Sequence, residues 1–368
     1  MTNLSWSQAL AWRLRQHLLD PVGAGPAEEV VRRIQAVPAY PAPSAELGVR
    51  LRQQRSRPGD VAHALAEGRL VQVYAFRGAT HLITPEDCGT VLALRAASRM
   101  WERPSWQEYY GLAPQDWPDL RAAVRDALAD GPLTRPELAA AVAGTARFAH
   151  LAAAITDSSD TLLKPLTWQG VMSFGPGRDG EATFQRLETN PRWTGIPDVD
   201  VAGPRAVEAY LHAYGPAPVD RVLYWLGEGL GAGRRRIQDW LARLAPRLTE
   251  VDVDGETALV LTDDLETLLQ SSGNRTVRLL PGHDQWVLGP GTADPHVVPP
   301  ARRSPVTRGA NLVIVGGVVN GTWAVSGDQL TVSWFAEVGP APEEDVEEQA
   351  GLVADVLGRS LSYSPGER

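Results

Sequence analysis

Three times along this chain, helical periodicity gives way to two short apolar strands around a tight turn, and this repeated order restricts the fold more than any single motif. In the first set, Ser5 or Ser7 can cap a helix carrying Leu10, Leu14 and Leu18 at four-residue spacing, stopped by Asp20-Pro21-Val22-Gly23. Pro26 suits the first turn of a second helix; Glu28 and Glu29 favour its positive end, and Val30, Ile34 and Val37 form its apolar stripe. Pro38, Pro41 and Pro43 end it, Ser44 can cap a third helix with Leu47 and Leu51 inward, and Asp60 starts a short fourth. Residues 70–76 and 79–83 then read as strands around Arg77-Gly78.

The second set has a helix at 120–129 ended by Asp130-Gly131-Pro132, a helix at 135–142 capped by Thr134, and another near 145–156. Its strands, 171–176 and 181–187, flank Gly177-Arg178-Asp179-Gly180, the clearest hairpin signal in the chain. The third set places helices at 206–214, 219–226 and 234–244, then strands at 248–253 and 257–261 around Asp254-Gly255. Helices followed by a hairpin is the order of a winged helix. We therefore expect an α+β chain with tandem winged-helix units at 1–110, 111–200 and 201–270. From residue 276 the pattern changes to short β-rich runs (277–280, 285–288, 310–318, 321–325 and 330–335) separated by Gly, Pro, Asp and Asn. That spacing predicts a barrel-like domain at 271–368, closed by a helix at 346–361 with Val346, Val353, Leu357 and Leu361 on one face.

Composition excludes several classes. No stretch among the 368 residues approaches the roughly 18 apolar residues of a membrane span, and the first residues lack a basic patch followed by an apolar core, so we expect a cytoplasmic protein that meets no membrane. Cys88 is the only cysteine, too few for a disulfide framework or a multi-cysteine zinc site. The seven histidines form no i, i+4 pair, and there is neither a phosphate loop followed by lysine nor a Gly-x-Ser-x-Gly elbow. We expect no metal and no cofactor. The net charge of −9 argues mildly against a polyanionic partner, but residues 1–110 hold 13 arginines against 10 acidic residues, which leaves a basic N-terminal third.

Several stretches, in this order and at these separations, resemble one family over nearly the whole chain. They are Ala11-Trp-Arg-Leu-Arg, Arg77-Gly-Ala-Thr-His-Leu, Leu163-Lys-Pro-Leu-Thr-Trp-Gln-Gly with Phe174-Gly-Pro, Tyr214-Gly-Pro-Ala, Leu279-Leu-Pro-Gly-His-Asp and Val319-Asn-Gly-Thr-Trp. The family is that of the AlkZ/YcaQ-type winged-helix DNA glycosylases. The resemblance implies removal of alkylated purines from double-stranded DNA by cleavage of the N-glycosidic bond. It also implies a catalytic Gln-apolar-Gln motif, which Ser44-Ala45-Glu46-Leu47 brings into register with Pro38, Ala39 and Tyr40. Both glutamines are missing.

Two functions are compatible with that loss. In the first, the chain is a glycosylase with an altered site, acting on a bulky N7-alkylguanine adduct; the resemblance includes self-resistance enzymes of antibiotic producers. An N7-alkylated guanine is cationic and leaves easily, so neutral polar groups suffice to stabilise an oxocarbenium-like sugar and position water. Tyr40 offers a hydroxyl, Pro38 a stiff surface for a flat adduct, and Gln35, His17 and Glu46 lie near in sequence. Each of these three also has a plain structural alternative: a partly exposed helix position for His17 and Gln35, support of a helix N-terminus for Glu46. In the second, the chain is a non-catalytic DNA-binding protein, a lesion sensor or regulator. Lys164 is the only lysine, and apart from the N-terminal amine no other group can form the Schiff base of strand scission, so a glycosylase of this sequence is expected to be monofunctional. For DNA contact the candidates are the cluster Arg50, Arg52, Arg55 and Arg57, the hairpin-tip Arg77 and Arg178, and Arg234 to Arg236 at the start of the third unit's last helix, with a solvated surface charge as the alternative for each. His81 and the pair His283-Asp284 are expected to be structural. We expect the protein to act as a monomer.

Overall fold

The computed structural model describes residues 2–366. They form a mixed α+β chain that divides into two compact units, Met1–His63 with Val207–Trp225 and Asp239–Arg368, and Ala64–Ala206 with Leu226–Gln238.

In the first unit, Ser5 caps the helix Trp6–Gln16 by a reciprocal capping box with Gln8, and the helix stops two residues short of Leu18, which takes a left-handed φ of 55°. The helix Ala27–Arg33 also ends early. Gln35, at φ 72°, turns the chain out of helical geometry, so Val37 lies in a short strand, Val37–Pro38, and not on a helical stripe. The next helix, Ala42–Arg50, starts before Ser44, because Pro41 and Pro43 suit the entry to a helix and need no side-chain cap.

Five strands at the C-terminal end form one sheet in the order Val277–Leu280, Asn311–Val315, Val318–Ser326, Gln329–Trp334 and Ser362–Pro365. The first three junctions are antiparallel; the last is parallel. The outer strands do not meet, so this is an open sheet and not the expected barrel. Alternation along the strands divides its burial between two faces. Leu280, Leu312, Ile314 and Val319 pack with Leu10 and Leu14 of the first helix, whereas Leu279, Val313, Trp323 and Val332 pack with Leu47 and with Val346 and Val353 of the helix Glu343–Leu357. A sheet covered on both faces needs no closure to bury its apolar side chains. The run at 285–288 is one helical turn, Gln285–Leu288, instead of a strand: Asp284 caps it by accepting from the Trp286 N–H at 2.8 Å.

The hairpin Leu248–Val253 and Glu256–Leu261 turns at Asp254-Gly255, both at positive φ, and gains a parallel neighbour in Thr2–Leu4. In the second unit the two earlier hairpins share one sheet, in the order Thr80–Ile83, Val71–Tyr74, Met172–Phe174, Thr183–Arg186, Leu133–Thr134. Thr134 and Glu137 form the capping box of the helix Arg135–Ala143. The helix Pro85–Ala96 has no counterpart in the sequence reading: Cys88, Gly89, Val91, Leu92, Ala93 and Leu94 are all buried, so no polar face marks its period.

Candidate active site

The segment after Gln35 and the turn at residues 281–285 face each other across a narrow cleft in the first unit, with free space for about one water molecule. Pro38, Tyr40, Ser44 and Gly48 form one wall; Pro281 to Gln285 form the other, with Arg52 at the floor. Tyr40 stands at the mouth with 83% of its surface exposed. The opposite wall is held by close backbone packing. A Cβ on Gly282 would lie 2.0 Å from the Gly309 carbonyl oxygen, and one on Gly309, which has φ 82°, would lie 2.3 Å from the His283 ring. Only glycine fits at either position. The Gly282 N–H donates to Asn311 at 2.8 Å, and His283 itself adopts φ 57°, a strained choice for a residue with a side chain.

The floor is an ion pair in which every guanidinium nitrogen donates. The Arg52 guanidinium, 0% exposed, donates to both Asp284 oxygens at 2.9 and 2.7 Å, to the Gly48 carbonyl at 2.7 Å and to the His17 carbonyl at 3.1 Å. Arg52 is therefore withdrawn from the expected DNA-contacting set. So is Arg50, also buried, which donates to the Val356 carbonyl in the last turn of the helix Glu343–Leu357 and to the Ser56 hydroxyl. A guanidinium committed inside the fold cannot also meet a phosphate.

The residues proposed to replace the missing motif glutamines separate in the same way. Glu46 accepts from the backbone N–H groups of Gly59 and Val61 at 2.8 and 3.1 Å, which fastens the start of the helix Asp60–Ala66 and engages both carboxylate oxygens. His17 is neither catalytic in position nor partly exposed. It closes the first helix at 0% exposure, between the rings of Tyr214 and Trp286 at 4.8 and 5.1 Å, and neither ring nitrogen makes a well-formed hydrogen bond. Burial first, then the Arg52 and Arg13 charges, hold its pKa well below the usual histidine value, so it is neutral. Gln35 is half-buried and accepts from the Trp225 indole at 3.3 Å. Of the four candidates, only Tyr40 lines the cleft.

Sequence reasoning missed Gln285. It lines the cleft at 1% exposure, and neither its amide nitrogen nor its amide oxygen has a hydrogen-bond partner. Ser44, expected as a cap, lines the cleft too. The signal that could have revealed Gln285 was Asp284: an N-cap residue before a four-residue apolar run fits a helical turn as well as a strand, and a turn places the side chain after the cap beside the cap's own carboxylate.

The arginines of the second unit lie outside. Arg77 is exposed at the first hairpin tip with φ 53°; Arg178 is half-exposed at the second and pairs with Glu137; Arg234 and Arg235 are exposed at the start of the helix Arg234–Leu244. His81 is buried and donates from Nδ1 to the Ala79 carbonyl at 3.0 Å, in keeping with its expected structural role. No group of three or more histidine, cysteine or acidic side chains that could hold a metal ion occurs among the described residues, and no described helix is long and apolar enough to cross a membrane.

The cleft presents a phenol at its mouth, an amide in its wall and a locked ion pair beneath, and it holds no carboxylate free to act as a base. The family model described as AlkZ-like DNA glycosylase matches residues 31–356. An interstrand DNA cross-link repair glycosylase of Streptomyces sahachiroi is 35% identical over 362 residues, 97% of either chain. The solved structure of the Streptomyces sahachiroi DNA glycosylase AlkZ superposes over the full length of both chains with a TM-score of 0.94 and 34% identity. The chain belongs to the AlkZ-like DNA glycosylase family, enzymes that hydrolyse the N-glycosidic bond of damaged bases.

Proposed function

We propose that this glycosylase excises a bulky N7-alkylguanine adduct from double-stranded DNA, as a monomeric, monofunctional repair enzyme that protects a producer of a DNA-alkylating natural product. The observation that carries the substrate is the replacement of the family's two amides by Pro38-Ala39-Tyr40, with the Tyr40 ring 83% exposed at the mouth of a cleft that offers no free carboxylate. A cationic N7-alkylguanine takes the bonding electrons of N9–C1′ without prior protonation. The protein then has only to bind the adduct, steady the sugar cation and orient water. An exposed phenol beside a rigid proline suits stacking on a flat substituent. One relative is named for interstrand cross-link repair, which supports the bulky class.

In this proposal the three helix-and-hairpin sets act as winged-helix units at 1–110, 111–200 and 201–270, ahead of the 271–368 domain. Arg77, Arg178 and Arg234 meet phosphates, and Pro38 meets the lesion. Arginines in a first helical turn oppose the helix dipole, a cost that a bound phosphate offsets. Lys164 sits on the helix Leu163–Trp168 with its ammonium 5.6 Å from the Tyr74 ring centroid and is not part of the cleft lining, which supports base removal without strand scission.

The test is release of base from duplexes bearing a single N7-alkylguanine of increasing size. Release of bulky adducts at least tenfold faster than of N7-methylguanine, leaving an intact abasic strand that borohydride does not trap on the protein, is expected. Lesion binding without release of any adduct would instead establish the sensor, and a preference for the methyl adduct would remove the bulky class.

A further inference from the structure

We propose that Gln285 is a catalytic residue of this cleft, its side-chain amide holding the attacking water against the sugar. This rests on the cleft being the site of base removal. Polar groups at 1% exposure are nearly always hydrogen-bonded, and leaving one unmade costs roughly 1–3 kcal/mol. Gln285 leaves both amide atoms unmade, although Asp284 beside it is fully used by Arg52 and the Trp286 N–H. An apolar side chain of the same length would fill this wall at lower cost. A buried amide with its donor and acceptor both open, in the wall of a cleft, is matched by a ligand that supplies both partners.

Water and the substrate together do so. The amide oxygen accepts a hydrogen bond from the water, which turns the water's lone pair toward C1′, and the amide nitrogen donates to an oxygen of the bound nucleotide. The water oxygen then bonds to C1′ as C1′–N9 breaks. The bonding pair passes into the alkylated base and neutralises its N7 charge, and the surplus water proton leaves to solvent. A neutral amide orients water but cannot deprotonate it, which suffices only when the leaving base is already cationic. Pro38 has no polar side-chain atom, Arg52 and Asp284 are committed to each other, and the Tyr40 side chain stands in solvent at the mouth; Ser44 and His283 also line the cleft, but Gln285 is the residue of this lining whose side-chain polar atoms are buried without a partner.

The experiment compares wild type with Q285L and Q285E on a duplex carrying one N7-alkylguanine, in single turnover. For Q285L, release should fall at least 100-fold, affinity for undamaged duplex should stay within twofold, and Tm should hold or rise because an unsatisfied amide has been removed. For Q285E, release should rise with pH as the new carboxyl ionises, where the wild-type profile is flat. Release by Q285L within threefold of wild type overturns the proposal, as does loss of release accompanied by a lowered Tm when Q285E keeps a flat profile. If wild type releases no adduct, the substrate assignment fails separately. The preference for damaged over undamaged duplex then decides: a tenfold smaller preference in Q285L sustains contact between the amide and the lesion, and an unchanged one overturns it.

Discussion

Two neighbours in the wall of the cleft have opposite polar accounts. Asp284 is buried with both oxygens on Arg52 and one also on a backbone N–H; Gln285, the next residue, is buried with nothing. A fold that can satisfy one buried polar side chain so completely is under no geometric compulsion to leave the adjacent one bare. The difference separates what holds the cleft's shape from what the cleft holds. Within the cleft, Arg52 and Asp284 are committed to each other, and the proposal gives the unpartnered Gln285 to the reaction.

The largest effect should come from breaking the paired side. Asp284→Ala leaves the Arg52 charge buried without its partner and should cost about 3–5 kcal/mol of unfolding free energy in a denaturant titration. Arg52→Met combined with Asp284→Leu should recover at least half of that loss, because no charge then remains inside. A double variant as unstable as the single would mean that packing, and not charge, holds the floor.

An intermediate case lies in the other unit. Burial holds His81 down to about 4, against 6.5 when unfolded, with only the Ala79 carbonyl hydrogen bond opposing the shift. Its folded pKa is depressed, so the unfolded chain binds the proton first. Its contribution is complete above about pH 6.5 and is lost as pH falls toward 4, by about 3 kcal/mol. His81→Phe should flatten the dependence of stability on pH over that window; an unchanged slope would place the titrating group elsewhere.

Smaller still is the half-buried carboxylate. Glu46→Ala removes two charge-assisted hydrogen bonds at the start of the helix Asp60–Ala66 and should cost about 1–3 kcal/mol, while release from bulky adducts stays within threefold of wild type. A large loss of release at preserved stability would return Glu46 to the chemistry. Smallest in stability are the exposed arginines. Arg178→Ser and Arg234→Ser should each change unfolding by less than about 1 kcal/mol, but lower the magnitude of the salt slope of duplex affinity by about 0.9. An unchanged slope for either would assign that arginine to the solvated surface.

Much of the secondary structure was legible because it rests on local chemistry. Asp254-Gly255 and Asp179-Gly180 take the positive φ values that their turns demand, and the Thr134–Glu137 capping box starts its helix where the spacing places it. The helix Pro85–Ala96 was not legible, since a segment buried on nearly all sides shows no amphipathic period. At the site, Tyr40 and Pro38 were found because they stand in a recognisable register beside helix-starting residues. Arg50 and Arg52 were misplaced because an arginine at a helix end looks the same in sequence whether it meets solvent or a buried carboxylate.

The sequence by itself determined the family, the alternation of helices and hairpins and the loss of the two motif glutamines, because each is carried by residues close together in the chain. Only the tertiary structure decided which polar groups are spent and which are open. Asp284 lies 232 positions from Arg52, and Gln285 comes to face Pro38 and Tyr40 only when the sheet and the helices packed on its two faces bring residues 38–52 and 281–285 to one cleft. Hydrogen-bond satisfaction is a property of neighbours in space, and over such separations the order of residues does not encode it.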